Sequence, residues 1–303
     1  MNKTFSEFFR IPESVRIPIL GGWLYRWSCL SSARKMEQLA SLDLSLNSAP
    51  RKKKVIASMT SFPGRIDKIH LSIKSLFCQT HKPDRIILWL AEEQFPDHKL
   101  PSTIEELIDV GLEVKYVENI MGCKRWFYIY PELRDEELLV TFDDDIVFPE
   151  KCIERIIRTH EKFPDAIVCD RGQTVAYDAT GKMLIPGRWK VISDEGVYAP
   201  SFKVLPSPGG GCLFFKGALH HDATDLEVVK QNLKTGDLFL MFMAVQNGTR
   251  IIRTEKYHRV FSVIPDTQQV QMGRDAIYLG HYEEALKRCA QTYPEAFSRL
   301  SER

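Results

Sequence analysis

The chain lacks the features that mark several common classes of protein. Its seven cysteines are odd in number and form no Cys-x-x-Cys pair, which argues against a disulfide framework and against a zinc site. No apolar run is long enough to cross a membrane, and no signal peptide is recognisable. The formal net charge is only +1, so no overall basic surface for nucleic acid is indicated. We therefore expect a cytoplasmic globular protein that does not bind nucleic acid.

One segment departs from this even balance. Residues 1–53 are rich in phenylalanine, tryptophan and arginine, and a run of arginine and lysine closes the segment at 51–54. An aromatic and basic segment can rest on an anionic membrane surface. The alternative is a packing extension that ends in a solvated charge run. We expect residues 1–53 to form a helical or irregular extension, with peripheral contact at the inner face of the membrane as one possible role.

Strand and helix patterns alternate from residue 54 onward. Short apolar runs predict strands at 55–59, 85–90, 112–116, 138–142, 166–169, 212–215 and 250–252. Helical spacing predicts helices at 66–78, 102–110, 125–133, 150–162, 237–247 and 281–291. Such alternation is typical of an α/β protein with a mostly parallel sheet and helices on both faces. Ligands of these sheets bind beyond the carboxyl ends of the strands.

Three acids directly follow the strand predicted at 138–142. They are Asp143, Asp144 and Asp145. Charges at the end of a buried strand require a counter-charge, such as a metal ion or a metal-bearing phosphate ligand, unless one acid is a nucleophile. In an extended backbone Asp143 and Asp145 face the same way and Asp144 faces away. Two such carboxylates suit Mg²⁺ or Mn²⁺ bridging a diphosphate; a solvated acidic turn is the alternative.

Four segments occur in a fixed order along the chain. They span residues 57–66, 122–125, 142–146 and 235–248. Together they resemble bacterial nucleotide-sugar glycosyltransferases of the GT-A fold, of the family 2-like kind that builds capsule or lipopolysaccharide. The resemblance implies a GT-A-like, Rossmann-like catalytic domain over 54–260, with a nucleotide half up to about 150, an acceptor half over 151–260 and a C-terminal tail over 261–303. It also implies a nucleotide-sugar donor, of the UDP-sugar class, Mn²⁺ or Mg²⁺, and a glycan or glycolipid acceptor.

The resemblance implies a role for each acid of the triplet. Asp145 would ligate the metal, and Asp143 would contact the nucleotide or serve as a second ligand. Asp144 would steady the loop or touch the sugar. His258 is a candidate third metal ligand, although a single histidine is more often structural.

Further candidates would contact the donor. The turn after the first strand would cup the nucleoside, two adjacent cations would lie near the diphosphate, and glycines would let the backbone approach the ligand. These candidates are Thr60, Arg65, Lys124, Arg125, Gly210 and Gly211. For the cations the alternative is a solvated surface position, and for the glycines an ordinary flexible loop.

Asp237 is the candidate catalytic base. It precedes a strongly apolar helical pattern, so it lies at a helix N-terminus, where the helix dipole favours the ionised carboxylate. An acceptor hydroxyl must lose its proton as it attacks the anomeric carbon, and a positioned carboxylate can take that proton. The family often has two adjacent acids here, whereas this chain has Gly236 first. One base and no obvious nucleophile predict inversion; a role as N-cap alone is the alternative.

Two other functions remain open from the sequence. The first is a non-catalytic, transferase-like scaffold in a polysaccharide-assembly complex. The second is an aspartate-nucleophile phosphohydrolase, because Asp143 and Asp145 also fit the Asp-x-Asp pattern of that class. More than 130 residues precede the acids, whereas that motif usually stands early in the chain.

Overall fold

The central element of the fold is a mixed sheet of seven strands. A computed structural model describes residues 18–190, 192–256, 260–268 and 279–301. In chain order the strands are β1 (Lys54–Thr60), β2 (Arg85–Ala91), β3 (Leu112–Val117), β4 (Glu137–Phe142), β5 (Ile146–Val147), β6 (Ile167–Cys169), β7 (Gly172–Thr174), β8 (Val204–Pro206), β9 (Gly210–Phe215), β10 (Ile251–Arg253) and β11 (Ser262–Val263).

The sheet is mostly parallel. Its strand order is β10-β6-β9-β4-β1-β2-β3, and β9 alone among these strands runs antiparallel to its neighbours β4 and β6. The other neighbouring pairs are parallel. Two small antiparallel pairs, β5–β11 and β7–β8, lie outside this sheet. The carboxyl ends of β1, β2, β3 and β4 therefore meet at one edge.

Helices lie before, between and after these strands along the chain. They are α1 (Pro18–Glu37), α2 (Ile69–Phe77), α3 (Ser102–Asp109), α4 (Lys124–Phe127), α5 (Cys152–Lys162), α6 (Leu226–Lys230), α7 (Gly236–Gln246), α8 (His281–Thr292) and α9 (Pro294–Ser301).

Both faces of the sheet are buried, which explains the continuous apolar runs in its strands. Alternate residues of β1 enter two different cores. Ile56 packs with α4, α7, α8 and α9 on one face, whereas Val55 and Ala57 pack with α2, α3 and α5 on the other. All residues from Leu238 to Val245 in α7 are buried, so this helix is apolar all round because it runs through the interior.

The architecture confirms the predicted α/β class with a mostly parallel sheet flanked by helices, and it is consistent with a GT-A-like arrangement. The predicted helix over 125–133 is wrong. Only α4 and a separate 3₁₀ turn at Tyr130–Glu132 form there, because Pro131 lacks the N–H that a continuous helix would need. The predicted domain boundaries stay predictions.

Helix α1 is more regular than the sequence suggested. It runs for 20 residues, packing against α2, β5 and β11. In the part of the chain that the structure describes, none of the helices combines the length and apolar character required to cross a bilayer.

Candidate active site

A cleft of about 760 Å³ opens at the carboxyl edge of the sheet. Residues that follow β1, β2, β3 and β4 line it, as the position of ligand sites in parallel sheets predicts. They include Ser61 after β1, Gln94 after β2, Asn119 after β3 and Asp143 after β4. The N-terminus of α7 adds Asp237. The acid triplet and the candidate base therefore share one cavity.

The acids occupy a tight turn between β4 and β5. The pairing of β4 with β9 shifts register between Thr141 and Phe142, an irregularity that bends a strand and redirects the residues after it. The backbone N–H of Asp143 then donates to the carbonyl of Gly209 at 2.8 Å. On the other side of the turn, the N–H of Ile264 donates to the carbonyl of Asp145 at 2.8 Å. Both ends of the acidic turn are thus held by neighbouring segments.

Two arginines form ion pairs with the three acids. Arg65 lies 2.6 Å from Asp144 Oδ1 and 3.1 Å from Asp145 Oδ2, and Arg125 forms an ion pair with Asp143. The hydroxyl of Ser61 also donates to Asp144 Oδ2 at 2.6 Å. The chain itself therefore supplies two positive charges toward the counter-charge that the sequence required.

The expected alternation of the acids is wrong. Asp143 and Asp145 were predicted to face the same way, yet Asp144 and Asp145 share Arg65 while Asp143 pairs with Arg125. The reason is local backbone geometry: β4 ends at Phe142, so the acids do not follow the two-residue period of a strand.

Asp145 lies in a largely buried position close to another negative charge. Burial, together with the negative charge of Asp143, raises the pKa of Asp145 to about 6. Its Oδ2 also accepts a hydrogen bond of 2.7 Å from the Gln268 amide. A divalent cation would relieve the repulsion between Asp143 and Asp145, and carboxylate oxygens are the ligands that Mg²⁺ and Mn²⁺ prefer. The donor set therefore fits such an ion.

These acids do not by themselves make a complete cage. Among the described residues, three ligand atoms of this kind gather within 4.8 Å of one another only at His220, His221 and Asp222, none of which lines the cleft. A metal at the acidic turn would need further oxygens from water or from a ligand phosphate, which is how Mg²⁺ is usually held. His258, the predicted third ligand, lies outside the described residues.

Lys124 and Arg125 stand together at the start of α4. Lys124 is only 2% exposed, and its Nζ donates to Asn119 Oδ1 at 3.2 Å. Burial, and then the charge of Arg125, lower the pKa of Lys124 to about 8. A solvated surface position is therefore excluded for Lys124. Because its pKa is lowered, the charge of its ammonium group is sensitive to a nearby anionic ligand.

Thr60 is the last residue of β1 and Arg65 follows the strand, and both have structural partners. The Thr60 hydroxyl donates to the carbonyl of Trp89 at 2.7 Å. Arg65, besides its two carboxylates, donates from Nε to the carbonyl of Thr267 at 3.1 Å. Both line the cleft; their predicted contact with base or phosphate stays a prediction.

The glycine loop contributes a different residue from those predicted. Gly210 and Gly211 lie in β9 and are not among the residues that line the cleft, whereas Gly209 is. A Cβ built on Gly209 would lie 1.8 Å from Asp143 Oδ2, so no side chain fits there. Arg171 packs closely against the same loop, since its Cβ lies 2.8 Å from the position that a Cβ on Gly210 would occupy. Burial lowers the pKa of Arg171, and the charges of Asp143 and Asp145 oppose that change.

Asp237 is held by two hydrogen bonds. The hydroxyl of Tyr282 on α8 donates to Oδ2 at 2.6 Å, and the N–H of Leu238 donates to Oδ1 at 2.8 Å. The N-cap of α7 is Thr235, so the alternative of Asp237 as N-cap is wrong. Burial raises the pKa of Asp237, and the bond from Tyr282 opposes that rise.

Several cleft residues were not among those predicted from the sequence. Tyr25, Arg171, Gln268 and Tyr282 line the cavity but stand far in sequence from the acid triplet. Arg171 follows a predicted strand at 166–169, so its place at the carboxyl edge could have been foreseen from topology. The other three reach the cleft by packing alone.

Comparisons with known proteins add a general likeness. No model of a protein family matches the chain, and no curated protein matches it. A solved structure that is similar is the mannosyltransferase PcManGT from Pyrobaculum calidifontis in complex with GDP-Man and Mn²⁺. The match has 12% sequence identity and a TM-score of 0.43, and covers 92% of this chain and 76% of that chain. Similarity at this level says nothing about the substrate of the present chain.

Proposed function

We propose that this protein is a metal-dependent glycosyltransferase that moves a sugar from a nucleotide-sugar to a hydroxyl group of a glycan or glycolipid acceptor. One observation carries the proposal: a single cleft holds the acid turn, a group of cations and a carboxylate with a positioned hydrogen-bond donor. Family 2-like membership, a role in surface polysaccharide synthesis and a UDP-sugar donor remain predictions from the resemblance.

The donor's diphosphate has cationic partners in the cleft. Lys124, Arg65, Arg125 and Arg171 all line it, and arginine forks and lysine ammonium groups bind phosphate oxygens well. Asp143 and Asp145 would hold the divalent cation. When bound, that ion supplies positive charge against the leaving nucleoside diphosphate.

The transfer step follows from the position of Asp237. The acceptor hydroxyl oxygen forms a bond to the anomeric carbon as the bond from that carbon to the phosphate oxygen breaks. The hydroxyl proton passes to the Asp237 carboxylate, and the electron pair leaves with the nucleoside diphosphate. A raised pKa makes Asp237 a better base than a solvent-exposed carboxylate would be. Tyr282 stabilises the ionised form through its 2.6 Å hydrogen bond.

A single displacement of this kind inverts the configuration at the anomeric carbon. We assign inversion because Asp237 is a base and no second cleft carboxylate is assigned as a nucleophile. Nuclear magnetic resonance of the product tests it: an α-linked donor should give a β-linked product. An α-linked product from the same donor would show retention and remove this part of the proposal.

Nucleotide binding tests the proposed function directly. Thermal stability is measured with UDP, GDP, CMP and ADP, each with and without Mn²⁺, because a ligand that binds the folded state raises its stability. We expect one nucleotide to stabilise the protein in a manner that requires Mn²⁺, and Asp145→Asn to lose that effect. The matched control is Asp135→Asn, at an aspartate side chain that is 88% exposed.

Each other outcome selects a different function. No stabilisation by any nucleotide would contradict the transferase and favour the scaffold. A phosphoenzyme formed on Asp143 would identify the phosphohydrolase. We do not expect hydrolysis of a nucleotide in the absence of Mn²⁺. Asp237→Asn separates catalysis from binding: transfer should be lost while nucleotide binding persists.

A further inference from the structure

Helix α1 exposes several large apolar side chains to solvent. Four of the eight large hydrophobic side chains that are exposed in the described part of the chain belong to this helix. Trp23 is 77% exposed, Trp27 53% and Leu30 43%. These three follow the i, i+4, i+7 spacing that places residues on one stripe of a helix, and Arg34 continues that stripe one turn further.

A different face of α1 packs on the protein. Cys29, Ala33 and Met36 are at most 9% exposed. Ser32 Oγ donates to Ser262 Oγ on β11 at 3.1 Å. At 3.6 residues per turn these three buried residues lie on average about a third of a turn away from Trp23 and Trp27. The outer apolar stripe is therefore not needed for the core of the described structure.

The charge of the chain is distributed unevenly. Residues 1–53 contain nine basic and four acidic residues, whereas the remainder contains 32 basic and 36 acidic residues. On α1 itself, Arg26 and Arg34 are exposed and flank the tryptophans. Positive charge is thus concentrated in the segment that exposes the indole rings.

We propose that the outer face of α1, defined by Trp23, Trp27, Leu30, Arg26 and Arg34, docks on an anionic phospholipid surface. Indole rings favour the boundary between headgroups and acyl chains, since one edge is polar and the ring is apolar. Arginines beside them are attracted to lipid phosphates. A second copy of the chain would set these arginines against each other, so charge complementarity favours lipid.

Helix α1 also contributes to the wall of the cleft. Tyr25 of α1 lines the cleft and donates from its hydroxyl to the carbonyl of Phe261 at 3.2 Å. Val260, next to it, is 44% exposed and also lines the cleft. The inference of lipid docking is independent of the proposed function, because it concerns only the outer face of α1.

Co-sedimentation of the full chain with vesicles tests the proposal. The vesicles consist of phosphatidylcholine with or without phosphatidylglycerol. We expect binding only when phosphatidylglycerol is present, and weaker binding as salt rises. Trp23→Ser with Trp27→Ser should lower the partition coefficient about tenfold or more, from the apolar area that two indoles bury. Tyr198→Ser, at another exposed aromatic side chain (74%), is the control and should bind like wild type.

Intrinsic fluorescence gives a second readout. Trp89, Trp126 and Trp189 are at most 6% exposed, so quenching by brominated lipid would report Trp23 and Trp27. Arg26→Glu with Arg34→Glu provides a variant that keeps the indoles and should also lose binding to anionic vesicles. Unchanged partition of both double variants, or no binding of wild type to anionic vesicles, would overturn the proposal. So would a solution dimer that the tryptophan variant dissociates. The proposed function is tested by nucleotide-induced thermal stabilisation, which is a separate measurement, so the failure of one proposal can be told from the failure of the other.

Discussion

Tyr282→Phe tests whether the hydrogen bond to Asp237 positions a working base. The variant removes only the hydroxyl that lies 2.6 Å from Asp237 Oδ2 and leaves the ring in place. A hydrogen bond to a charged group contributes about 1.5–3 kcal/mol, and one pH unit corresponds to about 1.36 kcal/mol. Without the bond, the Asp237 carboxylate should therefore take up its proton at a pH about one to two units higher.

The sign of the effect follows from the role of the carboxylate. Asp237 accepts a proton only when ionised, so transfer is lost as pH falls through its pKa. In Tyr282→Phe this loss should begin at higher pH, and the acidic limb of the kcat profile should move upward by about one to two units. The assay is a pH profile of kcat with both substrates saturating.

The chain offers a matched control. Tyr293→Phe also removes a tyrosine hydroxyl that donates to an aspartate, here at 2.6 Å from Asp222 Oδ2. Neither Tyr293 nor Asp222 is among the residues that line the cleft. That variant should leave the acidic limb where it is. If Tyr282→Phe lowers kcat equally at every pH, or leaves the profile unchanged, Tyr282 does not act through the protonation of Asp237 and the reasoning fails.

Three further predictions concern other parts of the structure. Gly209→Ala should weaken Mn²⁺-dependent nucleotide binding at least about tenfold, because its methyl group would collide with the Asp143 carboxylate; isothermal titration calorimetry measures this. Nucleotide affinity should fall as pH rises through about 8, where Lys124 loses its proton, and Lys124→Met should flatten that dependence between about pH 7 and pH 9. Arg155→Met should lower the free energy of unfolding by about 3–5 kcal/mol, measured by urea denaturation, because Asp170 is fully buried and pairs with Arg155 at 2.8 Å.

Each of these predictions has a comparison that should show little change. The comparison for Gly209→Ala is Gly22→Ala, where no atom lies within 4 Å of the added methyl group. The comparison for Lys124→Met is Lys99→Met, at an exposed lysine. The comparison for Arg155→Met is Arg158→Met, where the side chain is 72% exposed. Equal losses in a variant and its comparison would contradict the stated cause.

The positions of the main strands and of the acid turn could be predicted from the sequence. The run at 138–142 is apolar on both faces because β4 is covered on both faces, and three acids after it mark where the strand ends. Since the carboxyl ends of parallel strands share one edge, the place of Asp143–145 followed from local pattern alone. Asp237 was found in the same way, at the start of a helix too apolar to lie at the surface.

The partners of these acids could not be predicted, because they depend on contacts between distant parts of the chain. Arg65 stands 79 residues before Asp144, and Gln268 stands 123 residues after Asp145. A one-residue change in turn geometry redirects a side chain completely, so the strand period misassigned which acids face together. Likewise, periodicity could not show which apolar stripe of α1 packs on the protein, since both stripes have helical spacing. The sequence alone determined the helices, the strands and the residue types of the site, because these follow from local propensity and burial. Tertiary packing decided which charges pair and that Trp23 and Trp27 are exposed, because it joins residues that no local pattern relates.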